Sequence, residues 1–285
     1  MRWLASLKTP LIVMQNRIST NTNLLCLYRN GGRRKMNEII PLLAEGGYKD
    51  LDLNFCEMMN PVSLLKEEDS AEPYILELLS LKEKYKLNYH QCHLPYTADF
   101  LSLSDNVKEL HLKNIKLAIK YSERLGIKTL VIHPIKGSIE DNLCYFKRIS
   151  PSLKAGMMLA IENMEREDEI YSAEDLIVLA DTLGTGICLD TGHANMMGLD
   201  IPAFIEKCGE RLIATHIADN NGLEDQHMLP GFGNIDWENI IPAFRKHYSG
   251  FLNYEAMFYG RNLGKEQYGL VIDNSLKCAE FIFNL

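Results

Sequence analysis

Gly186-Ile187-Cys188-Leu189-Asp190-Thr191-Gly192-His193 decides how this chain is read. Its first four residues are apolar or small and make a short buried strand. The strand ends in an acid, and a histidine follows three residues later. The arrangement recurs: seven apolar runs finish in, or lead straight into, a residue able to bind metal or move a proton. A chain that keeps placing polar groups at the ends of buried strands is building a site at one rim of a barrel.

Outward from that stretch, strands and helices alternate. Upstream, the spacing predicts a helix over 36–45, a strand over 48–55, a helix over 73–86 and a strand over 87–93. A long amphipathic helix over 105–125 ends at Gly126 as its C-terminal cap. A strand over 129–133 stops at Pro134, and a helix over 142–155 leads to a strand over 158–162. Ser172 reads as the N-cap of a helix running to Leu183, with Asp175 in the capping-box position. Downstream come a helix over 201–208, a strand over 212–216, a helix over 236–247, a strand over 251–255 and a closing helix over 266–283. An eighth strand is expected within 11–20. Eight such units in 285 residues indicate a single α/β domain over 1–285, a (β/α)8 TIM barrel with its active site at the C-terminal ends of the strands. A doubly wound open sheet would gather its polar strand ends at one switch point instead of along the whole chain.

Hydrophobic residues make up 46% of the chain, enough for a substantial core. Against 30 Lys and Arg stand 38 Asp and Glu, a formal charge of −8, so there is no overall basic character to favour nucleic acid. Cys26, Cys56, Cys92, Cys144, Cys188, Cys208 and Cys278 are scattered without CxxC spacing and read as buried reduced thiols of a cytoplasmic protein. Cys92 and Cys188 sit beside strand-end candidates, and strand alternation is expected to point them into the packing behind the site. Lys8 and Pro10 interrupt the start of the chain too early for a signal peptide, and no apolar run has the length of a membrane span.

The strand ends carry His93, His133, Glu162, Asp190, His216 and Glu255. His193 follows Asp190 closely, and Asp219, Asp225 and His227 lie in the loop after His216. The C-terminal ends of barrel strands face one rim, so these residues converge. Two glutamates, an aspartate and a histidine around one point form a hard, oxygen-rich set. It suits a divalent cation, Mn²⁺ or Mg²⁺ before Co²⁺ or Zn²⁺. Singly, a strand-end Glu can pair with a lysine and a His can be a satisfied packing residue. Together they say more, because gathered buried carboxylates repel unless a cation or proton holds them. His90, His111 and His247 fall off the pattern and read as surface or packing residues.

In its motifs the chain resembles the xylose-isomerase-like TIM barrels, from about Asn37 to Phe283. The resemblance rests on His93-Leu94-Pro95-Tyr96, Val131-Ile132-His133-Pro134, Ile161-Glu162-Asn163, Leu189-Asp190-Thr191-Gly192-His193, His216-Ile217-Ala218-Asp219, Asp225-Gln226-His227 with Pro230 to Asp236, and Tyr254-Glu255. It implies that Glu162, Asp190, His216 and Glu255 bind one divalent metal, with Mn²⁺ the first expectation. It also implies that Glu162 and Glu255 exchange a proton with substrate carbon from opposite faces, through a metal-stabilised enediolate. By the same resemblance His193 contacts a substrate oxygen, His93 and His133 bind substrate or hold the metal ligands in place, and Asp168 or Glu167 assists. The basic residue usual after the strand-seven histidine is missing: Gly222 stands there, a departure from the free-ketose 3-epimerases.

The same superfamily includes endonuclease IV-type apurinic endonucleases, which resemblance would give three zinc ions on His93, His133, Glu162, Asp190, His193, His216, Asp225, His227 and Glu255. All nine residue types are present. Two features favour sugar chemistry. Asp-Thr-Gly-His is the commoner form in the isomerase-like branch, and the loops lack the series of Arg and Lys with aromatics that DNA binding and base flipping need. Arg29, Arg33, Arg34 and Lys35 are the exception, as a phosphate contact at the next helix start or as a solvated loop. Gly31-Gly32 is a flexible loop and no dinucleotide fingerprint. Asp236 is expected to cap a helix and Trp237 to pack beneath the site or at a subunit contact. The expectation is therefore a metal-dependent sugar or sugar-phosphate isomerase or epimerase, abstracting a proton next to a carbonyl of a small molecule, with no membrane partner and a dimeric or tetrameric state by analogy. A dehydratase or lyase on the same site, a metal-dependent phosphodiesterase and a sugar- or protein-binding barrel without catalysis are the other readings.

Overall fold

The computed structural model describes residues 17–28, 32–257, 259 and 261–284. The readings made for residues 1–16, Arg29 and Gly31 lie outside these. Eight strands are present among the described residues: β1 (Arg17–Asn21), β2 (Asp50–Asn54), β3 (Asn88–His93), β4 (Thr129–Ile132), β5 (Met158–Glu162), β6 (Gly186–Asp190), β7 (Leu212–His216) and β8 (Phe251–Tyr254). They form one parallel sheet in the order β7-β6-β5-β4-β3-β2-β1-β8. Its two ends meet. Ile217 N donates to Asn253 O at 2.7 Å, and Glu255 N donates to Ile217 O at 3.1 Å. Where those backbones stand apart, the Thr215 hydroxyl bridges them, accepting from Asn253 N and donating to Phe251 O. The result is the (β/α)8 barrel expected from the alternation.

Helices α1 (Met36–Glu45), α2 (Glu68–Tyr85), α3 (Asp105–Leu125), α4 (Ile139–Lys147), α5 (Ala173–Leu183), α6 (Thr191–Met196), α7 (Ile201–Cys208), α8 (Trp237–His247) and α9 (Tyr268–Asn284) connect the strands and close the chain. Ser172 and Asp236 cap α5 and α8 as read from sequence, accepting from Asp175 N and Asn239 N. Gly126 ends α3 in the left-handed region at φ 77°. Two helices differ by more than two residues from the expected bounds, and one was not expected. Helix α2 starts at Glu68, because Glu68 and Asp69 favour its positive end and Pro73, in the second turn, removes one N–H near that end. Helix α4 covers Ile139–Lys147 instead of 142–155, since Ser138 and Asp141 cap it reciprocally and Pro151 sits in a separate 3-10 turn. Helix α6 was not expected: Asp190 starts it by accepting from His193 N.

Two cores result. The larger lies between strands and helices, and a small one of Val131, Ala160, Cys188 and Ala214 fills the barrel interior. Cys92 points outward as expected, onto Ser122 of α3 at 3.2 Å. Cys188 does not. It stands two residues from Asp190, so alternation gives both the same face and sets the thiol in the barrel floor. Cys144 is exposed, contrary to the buried reading. Arg34 also departs from the solvated or phosphate-binding expectation. It is buried, its guanidinium donates to Leu25 O, Leu27 O and Tyr268 Oη, and it lies between the rings of Tyr28 and Tyr268. There it ties the β1–α1 loop to α9. No helix among the described residues is long and apolar enough to cross a membrane.

Candidate active site at the barrel mouth

The barrel brings all nine sequence-predicted residues to one rim, where they sort into three groups. In the central group, His216 Nδ1 lies 3.0 Å from both Glu162 Oε1 and Glu255 Oε2. Asp190 completes it: one ligand atom from each of Glu162, Asp190, His216 and Glu255 lies within 4.8 Å of all the others. The second group is His93, His133 and Glu162. The two Nε2 atoms face each other at 3.0 Å, and Glu162 Oε2 lies 3.5 Å from His93 and 3.3 Å from His133. The third is His193, Asp225 and His227, with Asp225 Oδ2 2.8 Å from His227 Nε2 and 3.7 Å from His193 Nε2.

Local structure aims these side chains. Asp190 divides its oxygens: Oδ1 accepts from His193 N at 2.8 Å, and Oδ2 turns to the site. Asn163 holds that strand end from the side, donating to Asp190 O and accepting from Asp190 N. The Asn163 carbonyl takes His193 Nδ1 at 2.8 Å, which leaves Nε2 toward the open side. Thr191 ties the turn to β7 through Ala218 N and O. Gly192 lets the turn pack closely, since a Cβ there would stand 3.1 Å from Asn220 Nδ2 and 3.2 Å from Asp190 Oδ1. Asp219 is no ligand candidate. It is buried and its carboxylate accepts from Asn220 N, Gly231 N, Ile235 N and Trp237 Nε1, folding the loop that carries Asp225 and His227. Trp237 is buried and holds that carboxylate through its indole N–H. His227 itself adopts φ 46°, the left-handed region that non-glycine residues enter at a cost.

The acid after Glu162 needs correction. Glu167 is exposed and Asp168 pairs with Lys136 at 3.5 Å near the surface. Glu165 and Glu169 both line the cavity, and Glu165 reaches the site, its Oε2 3.6 Å from His193 Nε2. Sequence offered no signal for that choice, since four acids crowd residues 165–169 and the loop path selects among them. Asp52 was also missed. It is fully buried, with Oδ2 3.5 Å from His216 Nε2. At Gly222 the backbone has φ 79°, so the missing basic residue coincides with a conformation that suits glycine. Above the groups opens a cavity of about 940 Å³, lined in part by His93, His133, His193, Glu255, Arg33 and Lys136.

Charge decides what can occupy the centre. Burial works to raise the Glu162 carboxyl, but His216 and His133 outweigh it and hold the group well below the usual carboxylate range. Glu255 is held at about 2, burial again being overcome by His216. Burial pushes Asp190 up to about 7, with His193 opposing and repulsion from Glu162 and Glu255 adding. Burial disfavours the charge on His216, yet the two glutamates raise its pKa well above the ordinary value. The centre thus attracts positive charge. Glu162 Oε2 and Asp190 Oδ2 are among the buried side-chain oxygens of the described residues that have no hydrogen-bond partner. Orphaned carboxylate oxygens beside an imidazole are what a divalent cation satisfies, so the donor set fits one.

Comparison with known proteins agrees with this geometry. Over 179 residues the chain is 28% identical to the uncharacterised protein y4fM of Sinorhizobium fredii, covering 55% of this chain and 56% of that one. The chain therefore spans little more than half of that relative's length. A probable endonuclease 4 of Mycoplasma capricolum is 24% identical over 204 residues, 62% of this chain and 71% of that protein. A crystal structure of D-psicose 3-epimerase in the presence of D-fructose superposes with a TM-score of 0.70 over 94% of this chain and 99% of that one, at 15% identity, a likeness of fold. Residues 42–268 match the family pattern of the xylose isomerase-like TIM barrel. With that match, the closed eight-stranded barrel and the polar strand ends gathered at its mouth, the chain belongs to the xylose isomerase-like TIM barrel family.

Proposed function

We propose that the protein is a divalent-metal-dependent sugar or sugar-phosphate isomerase or epimerase that abstracts a proton next to a carbonyl. The observation that carries this reading is the pair Glu162 and Glu255, each with an oxygen 3.0 Å from His216 Nδ1, with Glu255 also lining the cavity. Glu162, Asp190, His216 and Glu255 would hold the cation, with Mn²⁺ our first choice. When bound, it supplies positive charge against the negative charge that deprotonation leaves on neighbouring substrate oxygens.

The chain's own residues supply the rest. Glu162 and Glu255 reach the centre from β5 and from the end of β8, so one carboxylate can take a proton and the other return it. His193 offers Nε2 to a substrate oxygen because Asn163 O occupies its Nδ1. His133, braced by the Tyr96 ring at 4.0 Å, and His93 also line the cavity. The cavity has room for a sugar carrying a phosphate or a second substituent. We place the enzyme in carbohydrate metabolism in the cytoplasm, on the scattered cysteines without CxxC spacing. The test is metal content of protein purified without added metal or chelator, followed by solvent-deuterium exchange into ketoses and sugar phosphates. About one Mn, Mg or Co per chain with carbon-bound deuterium supports the reading; absence of exchange across the panel counts against it.

A second reading, a metal-dependent phosphodiesterase acting on abasic DNA, has its own support. Two further His-containing groups flank the centre, and probable endonucleases 4 are among the relatives. Two or three zinc ions per chain and metal-dependent nicking of abasic DNA would put it first.

A further inference from the structure

Behind His216, on the side away from the cavity, the barrel interior holds a polar cluster that no strand-end motif covers. Asp52 of β2 is its hub. Its Oδ2 accepts from Gln91 Nε2 of β3 and from Asn253 Nδ2 of β8, both at 2.9 Å, and stands 3.5 Å from His216 Nε2 of β7. The orientation of the Asn253 amide is set from behind, because its Oδ1 accepts from Ser19 Oγ at 2.8 Å. Ser19 Oγ in turn lies 2.7 Å from His90 Nε2. Asp52, Gln91, Ser19 and Asn253 are all buried. Two amides alone leave the charge of a buried carboxylate uncompensated. Among the described residues, His216 is the ionisable partner within ion-pair distance of Asp52.

The other face of His216 makes the consequence concrete. Nδ1 lies between two carboxylate oxygens at 3.0 Å. A neutral imidazole with nothing behind it would put its single proton there, as a donor to Glu162 or Glu255, and would then have no lone pair toward the centre. We infer that Asp52 is the positioning residue of His216: its charge behind the ring favours the proton on Nε2, so that Nδ1 keeps its lone pair for a cation held with Glu162, Asp190 and Glu255. The inference rests on the metal-site reading above. It assigns Asp52 a role through His216, with no contact to substrate. Carboxylates in this position commonly account for about 10–100-fold in metal affinity.

The test uses the full chain and Mn²⁺ alone as probe. Asp52→Asn keeps the shape and one oxygen acceptor while removing the charge. Mn²⁺ affinity is expected to fall about 10–100-fold, with the melting temperature of the metal-free protein within a few degrees of wild type. Nitrogen-15 spectra of the His216 ring supply a readout that mere packing would not move. In metal-free wild type the Nε2–H signal should be present and slow to exchange with solvent, and in Asp52→Asn it should shift and exchange faster. Loaded with diamagnetic Zn²⁺, wild type should carry its ring proton on Nε2. An Nε2–H signal indifferent to Asp52→Asn overturns the inference whether or not metal binds, as does unchanged Mn²⁺ affinity. A wild type that takes up no divalent cation overturns the proposed function instead, and the metal-free spectra still decide on Asp52.

Discussion

His93 and His133 meet with their Nε2 atoms 3.0 Å apart and their rings inclined at 70°. The Leu94 carbonyl lies 2.8 Å from His93 Nδ1 and can take a proton on that side. At the facing Nε2 atoms one ring donates to the other, or the two share a cation. Glu162 is common to this pair and to the central group, giving Oε2 to the two histidines and Oε1 to His216.

That double duty ranks the glutamates. Glu162→Gln should lower both metal content and turnover, the latter by at least about 10²-fold, whereas Glu255→Gln should lose comparable turnover and keep more of the metal. Elemental analysis beside single-turnover rates on the purified variants checks the ranking. A double variant that still turns over would end the two-glutamate mechanism.

His227 separates the two functional readings. His227→Ala should cost a multi-zinc phosphodiesterase about 10²-fold or more, and a one-metal isomerase less than about tenfold. Its backbone φ of 46° adds a control, because Asn tolerates the left-handed region better than Ala, so His227→Asn should hold the loop while removing the imidazole. Zinc stoichiometry and rates for both variants give the answer.

Gly233 is fixed by space. A Cβ there would stand 2.2 Å from both Asn220 O and Asp219 Oδ1, pressing on the carboxylate that folds the loop. Gly233→Ala should therefore destabilise by ~1–3 kcal/mol. Gly269→Ala, in α9 with nothing within 4 Å of the added carbon, should be neutral or stabilising by up to about 1 kcal/mol. Urea unfolding of the pair tests this; equal midpoints would contradict it.

His111 makes stability depend on pH away from the site. Burial pushes its pKa from 6.5 down to about 4, beside Tyr145 Oη at 3.0 Å. The unfolded chain thus binds this proton near pH 6.5 and the folded one only near pH 4. The contribution is complete above the unfolded value and fades as pH falls between the two, by at most roughly 3 kcal/mol. His111→Gln should lose less stability than wild type between pH 7 and 5. Parallel losses in urea midpoint would rule out His111 as the source.

What the sequence determined by itself was the part that local periodicity encodes. Alternating strands and helices, caps at Ser172, Asp236 and Gly126, and polar residues where strands end are each written within a few neighbouring positions, so the barrel and its rim were legible. Even there, a proline misled the start of α2 and a reciprocal cap moved α4, because short-range competition sets helix ends.

Tertiary structure alone decided the partners. Arg34 sits in a charge run that looks solvated until the barrel brings up Tyr268, and Asp52 is one acid in an ordinary strand until closure sets it against His216. The placing of Glu165 beside His193 and the sorting of nine side chains into three groups, two of them sharing Glu162, belong here too. The reason is physical: residue periodicity fixes which way a side chain leaves its own strand, but distances between strands depend on how the whole sheet closes, and burial then converts those distances into charge.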